Sequence, residues 1–241
     1  MKAVNLTTCV VLIVAFASGP CIGQNSEAGP KKTYQDPARF DKEIQSFEAA
    51  DLKSPPPAGG IVCIGSSSMR GWHGTIKEDL APLTLIPRGF GGSNMNDALF
   101  YTDRIVLAYK PRAVVLYEGD NDIAHGIPPE EVAEKFQAFF QKVHKALPDC
   151  RIYVLSIKPS ISRWTLWPKA QAANSLIKSQ CEKDKRLTFV DLAPGMLDEQ
   201  GSPRKEIFKE DKLHMTRAGY VIWRDILRPI LLKGELQFER Q

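Results

Sequence analysis

Short, continuous apolar runs that alternate with longer helical segments limit the fold of this sequence more than any other feature. The runs predict strands at residues 61–64, 83–86, 113–117, 152–156 and 188–190. Helical spacing predicts helices at residues 37–52, 97–108, 129–146, 168–181 and 216–232. Strands that are apolar on both faces belong to a mostly parallel sheet with helices on each side. The sequence therefore predicts an α/β fold, a three-layer α/β/α sandwich around about five strands.

Three of the predicted strands run directly into turns that are rich in small and polar residues. The turns read Gly65-Ser66-Ser67-Ser68, Gly89-Phe90-Gly91-Gly92-Ser93-Asn94 and Glu118-Gly119-Asp120-Asn121-Asp122. Parallel strands bring their carboxyl ends to one edge of the sheet, where open α/β folds bind their ligands. We therefore expect the three turns to share one site.

The serines of the first turn include a candidate nucleophile. A serine on a tight turn at a strand end projects its hydroxyl outward, and the next helix presents free backbone N–H groups to an anion. Ser67 is best placed for this role, with Ser66 and Ser68 as neighbouring competitors. A helix-capping serine is the structural alternative for each of them.

A candidate base with its orienting acid lies far down the chain, in Asp211-Lys212-Leu213-His214. A histidine held by a carboxylate can take the proton of a serine hydroxyl and return it to a leaving group. The alternative is that both residues only precede the last helix, where an acid favours the helix dipole. Gly92 and Asn121 could donate hydrogen bonds to an oxyanion, although turns also favour both residue types.

These blocks together resemble those of the SGNH hydrolases, also called the GDSL esterase family. The four blocks here are Gly65-Ser66-Ser67, Gly92 within Gly-Phe-Gly-Gly-Ser, Gly119-Asp120-Asn121-Asp122 and Asp211-Lys212-Leu213-His214. The resemblance spans about residues 60–232 and implies that Ser67, His214 and Asp211 form a catalytic triad. It also implies an oxyanion hole made of the Ser67 N–H, Gly92 and Asn121. Ser66 stands where the family has an acidic residue.

The Gly-Ser-Ser-Ser form followed by Trp72 is similar to one branch of that family, the platelet-activating-factor acetylhydrolases and carbohydrate acetylesterases. This likeness implies short acyl groups, and acetyl in particular, as the group removed. Trp164 and Trp167 are candidate walls of a substrate cleft, with core packing as the alternative, and Arg163 is expected on the solvated surface, with contact to an acidic or sugar substrate as the alternative.

The amino-terminal residues are typical of a targeting segment. Lys2 precedes an apolar run at residues 9–17, which is too short to span a bilayer, and small residues precede Gln24. We therefore expect a signal peptide at residues 1–23, a flexible arm at 24–36 and a single domain at 37–241 that begins with an amphipathic helix. The protein is then exported, periplasmic or extracellular, without stable membrane insertion.

Charge and cysteine content exclude other kinds of function. The 32 basic and 28 acidic residues are interleaved, so no basic patch predicts nucleic-acid binding. No cysteine spacing predicts a zinc site, and we expect neither metal nor cofactor. A bridge between Cys150 and Cys181 would be allowed in an oxidising compartment. The sequence does not indicate an oligomeric state.

The sequence is thus interpreted as an exported serine esterase that removes short acyl groups from a small-molecule or polysaccharide ester. Two alternatives stay open at this stage. One is a lipid acylhydrolase or lysophospholipase, and the other is a glycan-binding module that keeps the fold without turnover.

Overall fold

The computed structural model describes Met1 and residues 33–239, and its centre is a five-stranded sheet. The strands lie in the order β2-β1-β3-β4-β5, and every neighbouring pair is parallel. Their bounds are Ile61–Gly65 (β1), Leu85–Gly89 (β2), Ala113–Tyr117 (β3), Arg151–Leu155 (β4) and Leu187–Val190 (β5). The predicted α/β fold with a parallel sheet is confirmed.

Helices surround this sheet along the described chain. Their bounds are Asp41–Lys53 (α1), Ser67–Trp72 (α2), Ile76–Asp79 (α3), Met95–Phe100 (α4), Thr102–Ile105 (α5), Asp120–Ala124 (α6), Pro129–Ala146 (α7), Trp167–Cys181 (α8), Ala193–Met196 (α9) and Arg217–Glu235 (α10). Single 3₁₀ turns occupy Pro37–Phe40, Leu107–Tyr109, Trp164–Leu166, Lys205–Ile207 and Leu236–Phe238.

Successive side chains of each strand enter two different apolar clusters. Val62 and Ile64 of β1 belong to the cluster that also contains residues of α1, α7 and α8, whereas Ile61 and Cys63 belong to the cluster with residues of α2 and α10. Burying a side chain of this size contributes about 1.5–3 kcal/mol. The continuous apolar strands therefore stabilise both helical layers at once, which is the three-layer arrangement.

The strand order places a topological switch point between β1 and β3. The chain leaves β1 toward β2 on one side and returns to β3 on the other, so the crevice opens outside the carboxyl ends of these central strands. The turns after β1 and β3 contain Ser67 and Asn121. The fold thus brings these turns to the position where doubly wound sheets bind ligands.

One predicted helix and one predicted strand differ from the structure. The predicted helix at residues 97–108 is broken into α4, α5 and a 3₁₀ turn, and the Thr102 hydroxyl donates to the carbonyl oxygens of Ala98 and Leu99 at this break. Helix α4 begins early, at Met95, because Asn94 and Asp97 form a capping box. The second strand begins at Leu85 rather than at residue 83.

The cysteines of the described chain are buried free thiols. Cys150 and Cys181 are not bridged, and burial raises the pKa of each to about 12, so neither is a reactive thiolate at neutral pH. The predicted signal peptide lies outside the described residues except for Met1, and the predicted arm is described only over residues 33–36. None of the helices in the described ranges has the length and apolar character needed to cross a membrane.

Gly65 allows β1 and β3 to approach at the edge that presents the serines. A Cβ atom on Gly65 would lie 2.4 Å from the carbonyl oxygen of Tyr117. We expect Gly65→Ala to lower the free energy of unfolding by about 2 kcal/mol, because backbone must shift to admit the methyl group. Urea titration measures this change. Gly74→Ala is the control, since its Cβ would meet nothing within 4 Å, and equal stability of both variants would contradict the prediction.

Candidate active site

A serine, a histidine and an aspartate form a hydrogen-bonded chain at the carboxyl edge of the sheet. The Oγ atom of Ser67 lies 3.0 Å from Nε2 of His214, and Nδ1 of His214 lies 2.6 Å from Oδ2 of Asp211. An ionised carboxylate can only accept, so Nδ1 carries the ring proton and Nε2 faces Ser67 as an acceptor. This is the tautomer that a general base requires.

Among the serines of the first turn, Ser67 has the hydroxyl that faces His214. Ser67 is the first residue of α2 and is half-buried, whereas Ser66 and Ser68 are buried. The N–H of Ser66 donates to the carbonyl of Tyr117, and the carbonyl of Ser68 accepts from the hydroxyl of Tyr220. These backbone contacts hold Ser66 and Ser68 in the interior, and the hydroxyl of Ser67 points outward.

Asp211 shapes the turn that presents His214. Its Oδ1 atom accepts the backbone N–H groups of Leu213 and His214, both at 2.9 Å, while its Oδ2 atom receives the imidazole. These three hydrogen bonds, the imidazole first, hold the pKa of Asp211 well below its usual range. The acid therefore stays ionised across the pH range in which a histidine can act as a base.

The three turns after β1, β2 and β3 are joined by hydrogen bonds. The N–H of Phe90 donates to the carbonyl of Gly65 at 2.8 Å, the N–H of Ser66 donates to the carbonyl of Tyr117 at 3.2 Å, and Nδ2 of Asn121 donates to the carbonyl of Ser93 at 2.8 Å. The predicted shared site is thus one contiguous surface.

Three potential donors to an oxyanion lie on this surface. Ser67 is in the first turn of α2, where a backbone N–H has no partner within the helix. Gly92 is exposed at φ +88°, a Cβ atom there would project into open space, and its N–H has no acceptor among the described residues. Nδ2 of Asn121 has a second hydrogen, which has no acceptor among the described residues after the bond to Ser93. Such donors stabilise a developing oxyanion.

Buried carboxyl groups support the second and third turns from below. Ser93 donates to Glu118, and the backbone N–H of Met95 donates to Asp122. Burial, reinforced by the charge of Asp122, raises the pKa of Glu118 well above its usual range. Burial also raises the pKa of Asp122 to about 6. Sequence patterns alone did not predict this support.

The chain before α1 contacts Asp122 and a further buried carboxyl group, that of Asp97. The hydroxyl of Tyr34, within the predicted arm, donates to Asp122 at 2.8 Å, and Arg39 forms an ion pair with the buried Asp97. These residues therefore lie against the third and second turns. Nothing in the local sequence around Tyr34 indicates such a long-range contact.

The tryptophans predicted as cleft walls lie largely against the protein interior. Trp164 and Trp167 stack with 6.0 Å between ring centroids; Trp167 is buried and Trp164 is half-buried. The expectation of a solvated Arg163 was wrong, because this side chain is 22% exposed and pairs with Asp120 and Asn121. The sequence around Arg163 gives no signal that this residue pairs with Asp120 and Asn121.

Comparison with known proteins supports a family assignment. The sequence profile of the GDSL-like Lipase/Acylhydrolase family matches residues 59–222. The chain belongs to this family. The match spans all four blocks predicted from the sequence, and the protein is accordingly a hydrolase that acts on ester bonds.

Relatives and solved structures of the family agree with this assignment. The platelet-activating factor acetylhydrolase IB subunit alpha1 of Pongo abelii is 29% identical over 189 residues, covering 76% of this chain and 79% of its own. A GDSL-like lipase from Bacteroides thetaiotaomicron has a TM-score of 0.67 at 19% identity over 79% and 98% of the two chains. An acetylxylan esterase mutant from Geobacillus stearothermophilus has a TM-score of 0.56 at 14% identity, over 73% and 94%. The last two likenesses show the fold alone.

The contribution of the hydrogen bond between Tyr34 and Asp122 to stability should depend on pH. We expect Tyr34→Phe to lower the free energy of unfolding by about 2 kcal/mol at pH 8 and by about 1 kcal/mol at pH 5. The hydroxyl favours the ionised form of Asp122, whose folded-state pKa is about 6. The loss is therefore larger above that pKa, where the carboxylate is charged, and smaller below it.

Urea titrations of wild type and variant at the two pH values measure this difference. Tyr220→Phe is the matched control, because its hydroxyl donates to a backbone carbonyl, that of Ser68, which does not titrate. Its cost should be the same at pH 5 and pH 8. An equal cost of Tyr34→Phe at both values would contradict the prediction.

Proposed function

We propose that the protein is an exported serine esterase that works through an acyl-enzyme on Ser67. The observation that carries the proposal is the chain of contacts from Ser67 through His214 to Asp211, with separations of 3.0 Å and 2.6 Å. These are distances at which a base can take a proton from a hydroxyl and an acid can orient that base.

In the proposed reaction, Nε2 of His214 accepts the Ser67 proton as Oγ attacks the ester carbonyl carbon. The carbonyl oxygen becomes an oxyanion next to the Ser67 N–H, the Gly92 N–H and Nδ2 of Asn121. The C–O bond to the alcohol then breaks, and the alcohol leaves with the proton from His214. Water, deprotonated by the same histidine, attacks the acyl-enzyme, and the acid departs as Ser67 regains its proton.

Short acyl groups, acetyl in particular, are the proposed substrates, with carbohydrate as the proposed alcohol. The proposal draws on the names of an acetylhydrolase relative and of an acetylxylan esterase with the same fold. The open position of the acid and base is consistent with it, since the side chains of His214 and Asp211 are 39% and 48% exposed. A base this accessible can reach an ester on a bulky alcohol.

A lipid acylhydrolase is the second candidate, because the matching family includes lipases and the acetylhydrolase relative is named for platelet-activating factor.

Export is proposed from residues 1–23, which contain the predicted signal peptide. A mature amino terminus at or near Gln24, found by sequencing the secreted protein, is the expected result. An intact Met1 on secreted protein would contradict it.

The nucleophile is tested by labelling with a serine-directed fluorophosphonate. Labelling is expected in wild type, Ser66→Ala and Ser68→Ala. Ser67→Ala should not be labelled, and its kcat/KM should fall by at least about 10⁴-fold. Ser175→Ala is the control, because its hydroxyl bonds only within α8 at an exposed position. Label retained by Ser67→Ala would place the nucleophile elsewhere.

Chain-length preference separates the two esterase candidates. Initial rates on p-nitrophenyl acetate should exceed those on the octanoate ester, and acetate should be released from acetylated xylan rather than fatty acid from lysophospholipid. The reverse preference would favour the lipid acylhydrolase. Binding to xylan without acetate release, unchanged in Ser67→Ala, would favour a glycan-binding module.

A further inference from the structure

The side chain of Asn121 has a charged partner on the side away from its free hydrogen. Its Oδ1 atom accepts a hydrogen bond from Nη2 of Arg163 at 3.0 Å, while its Nδ2 atom donates to the carbonyl of Ser93. Arginine has donors only, so the amide oxygen must face it and the NH₂ group must face the opposite way. Arg163 thus selects one of the two amide orientations, the one that turns hydrogens toward the proposed oxyanion.

Arg163 is itself held by a buried ionic cluster. Its Nη1 atom lies 2.6 Å from Oδ1 of Asp120, and Nζ of Lys158, which is fully buried, lies 2.9 Å from Oδ2. Burial would raise the pKa of Asp120, but the two cations outweigh it and keep that pKa below its usual range. Asp120 is therefore an anion, and the cluster has a net charge of +1 directly behind Asn121.

The segment that contains Arg163 also contacts the turn of the acid and base. The N–H of Ser162 donates to the carbonyl of Lys212 at 3.1 Å, between Asp211 and Leu213. On the other side, Trp164 stacks on Trp167 at the start of α8. Both neighbours of Arg163 are thus held by contacts, Ser162 through its backbone and Trp164 through its ring, which limits the positions that the guanidinium can take.

We propose that Arg163 is a positioning residue of the oxyanion hole, which orients the Asn121 amide and places a positive charge behind it. The inference rests on the proposed esterase function. A cation on the amide oxygen makes the Nδ2 hydrogens better donors, and this effect grows as negative charge develops on the substrate oxygen. Arg163 then acts on the transition state through Asn121 and does not contact the ester.

A double-mutant cycle on p-nitrophenyl acetate tests whether Arg163 acts through Asn121. Arg163→Met should lower kcat about 10- to 100-fold and change KM by less than about 3-fold, because the lost interaction belongs to the transition state. In the Asn121→Ala background the same substitution should change kcat by less than about 3-fold, since the amide it positions is gone. Arg163→Lys, which keeps the charge, should recover part of the loss.

Arg224→Met is the matched control, since Arg224 is a surface residue of α10 paired with Asp225, and its kcat should equal that of wild type. Arg163→Met costing the same factor with and without Asn121 would overturn the proposal, as would an unchanged kcat. If Arg163 had only a structural role, Arg163→Met would lower the melting temperature, and its loss of kcat would add to that of Asn121→Ala. Absence of Ser67-dependent activity in the wild type would instead refute the proposed function.

A second measurement tests the orientation of the amide without any catalysis. The two Nδ2–H signals of Asn121, assigned in a ¹⁵N-labelled protein by their loss in Asn121→Ala, should shift and exchange faster with solvent in Arg163→Met. Arg224→Met should leave them unchanged. Identical Asn121 signals in wild type and Arg163→Met would overturn the positioning role whether or not the wild type hydrolyses esters.

Discussion

The close approach of β1 to β3 at their carboxyl ends is the constraint on which the site depends. Gly65 lies opposite Tyr117 in the parallel register, and the N–H of Ser66 continues the pairing by donating to the Tyr117 carbonyl. Because the backbones meet without an intervening side chain, the chain turns directly from the sheet into α2. Ser67 is thereby placed at the switch point of the sheet, facing the turn that contains His214.

Behind this edge, the structure buries several ionisable groups. Glu118, Asp97 and Asp122 lie below the second and third turns, while Asp120 lies between Lys158 and Arg163. A buried charge without a partner costs several kcal/mol, so each ionised group is paired or hydrogen-bonded. Glu118, whose pKa is raised by burial, accepts the hydroxyl of Ser93. These groups join the loops to one another through directional hydrogen bonds and ion pairs.

Two sets of charged groups connect the turns to different segments of the chain. The carboxyl groups contacted by Tyr34 and Arg39 connect the second and third turns to the chain before α1. The cluster of Asp120, Lys158 and Arg163 connects the third turn to the segment between β4 and α8, which in turn contacts the Asp211 turn through Ser162. Five distant parts of the sequence therefore meet around one small surface.

The sequence by itself determined the layered fold, the order of its strands along the chain and the blocks that meet at the carboxyl edge. Apolar runs indicate strands that are buried on both faces, and glycine, serine and asparagine after a strand indicate a turn. Strands and turns can therefore be predicted from local sequence. Helix breaks such as that at Thr102 were missed because a single hydroxyl competes with the backbone there. Only the tertiary structure decided which serine faces His214 and that Arg163 lies behind Asn121. Those outcomes depend on contacts between residues 42 to 147 positions apart, which no local pattern encodes.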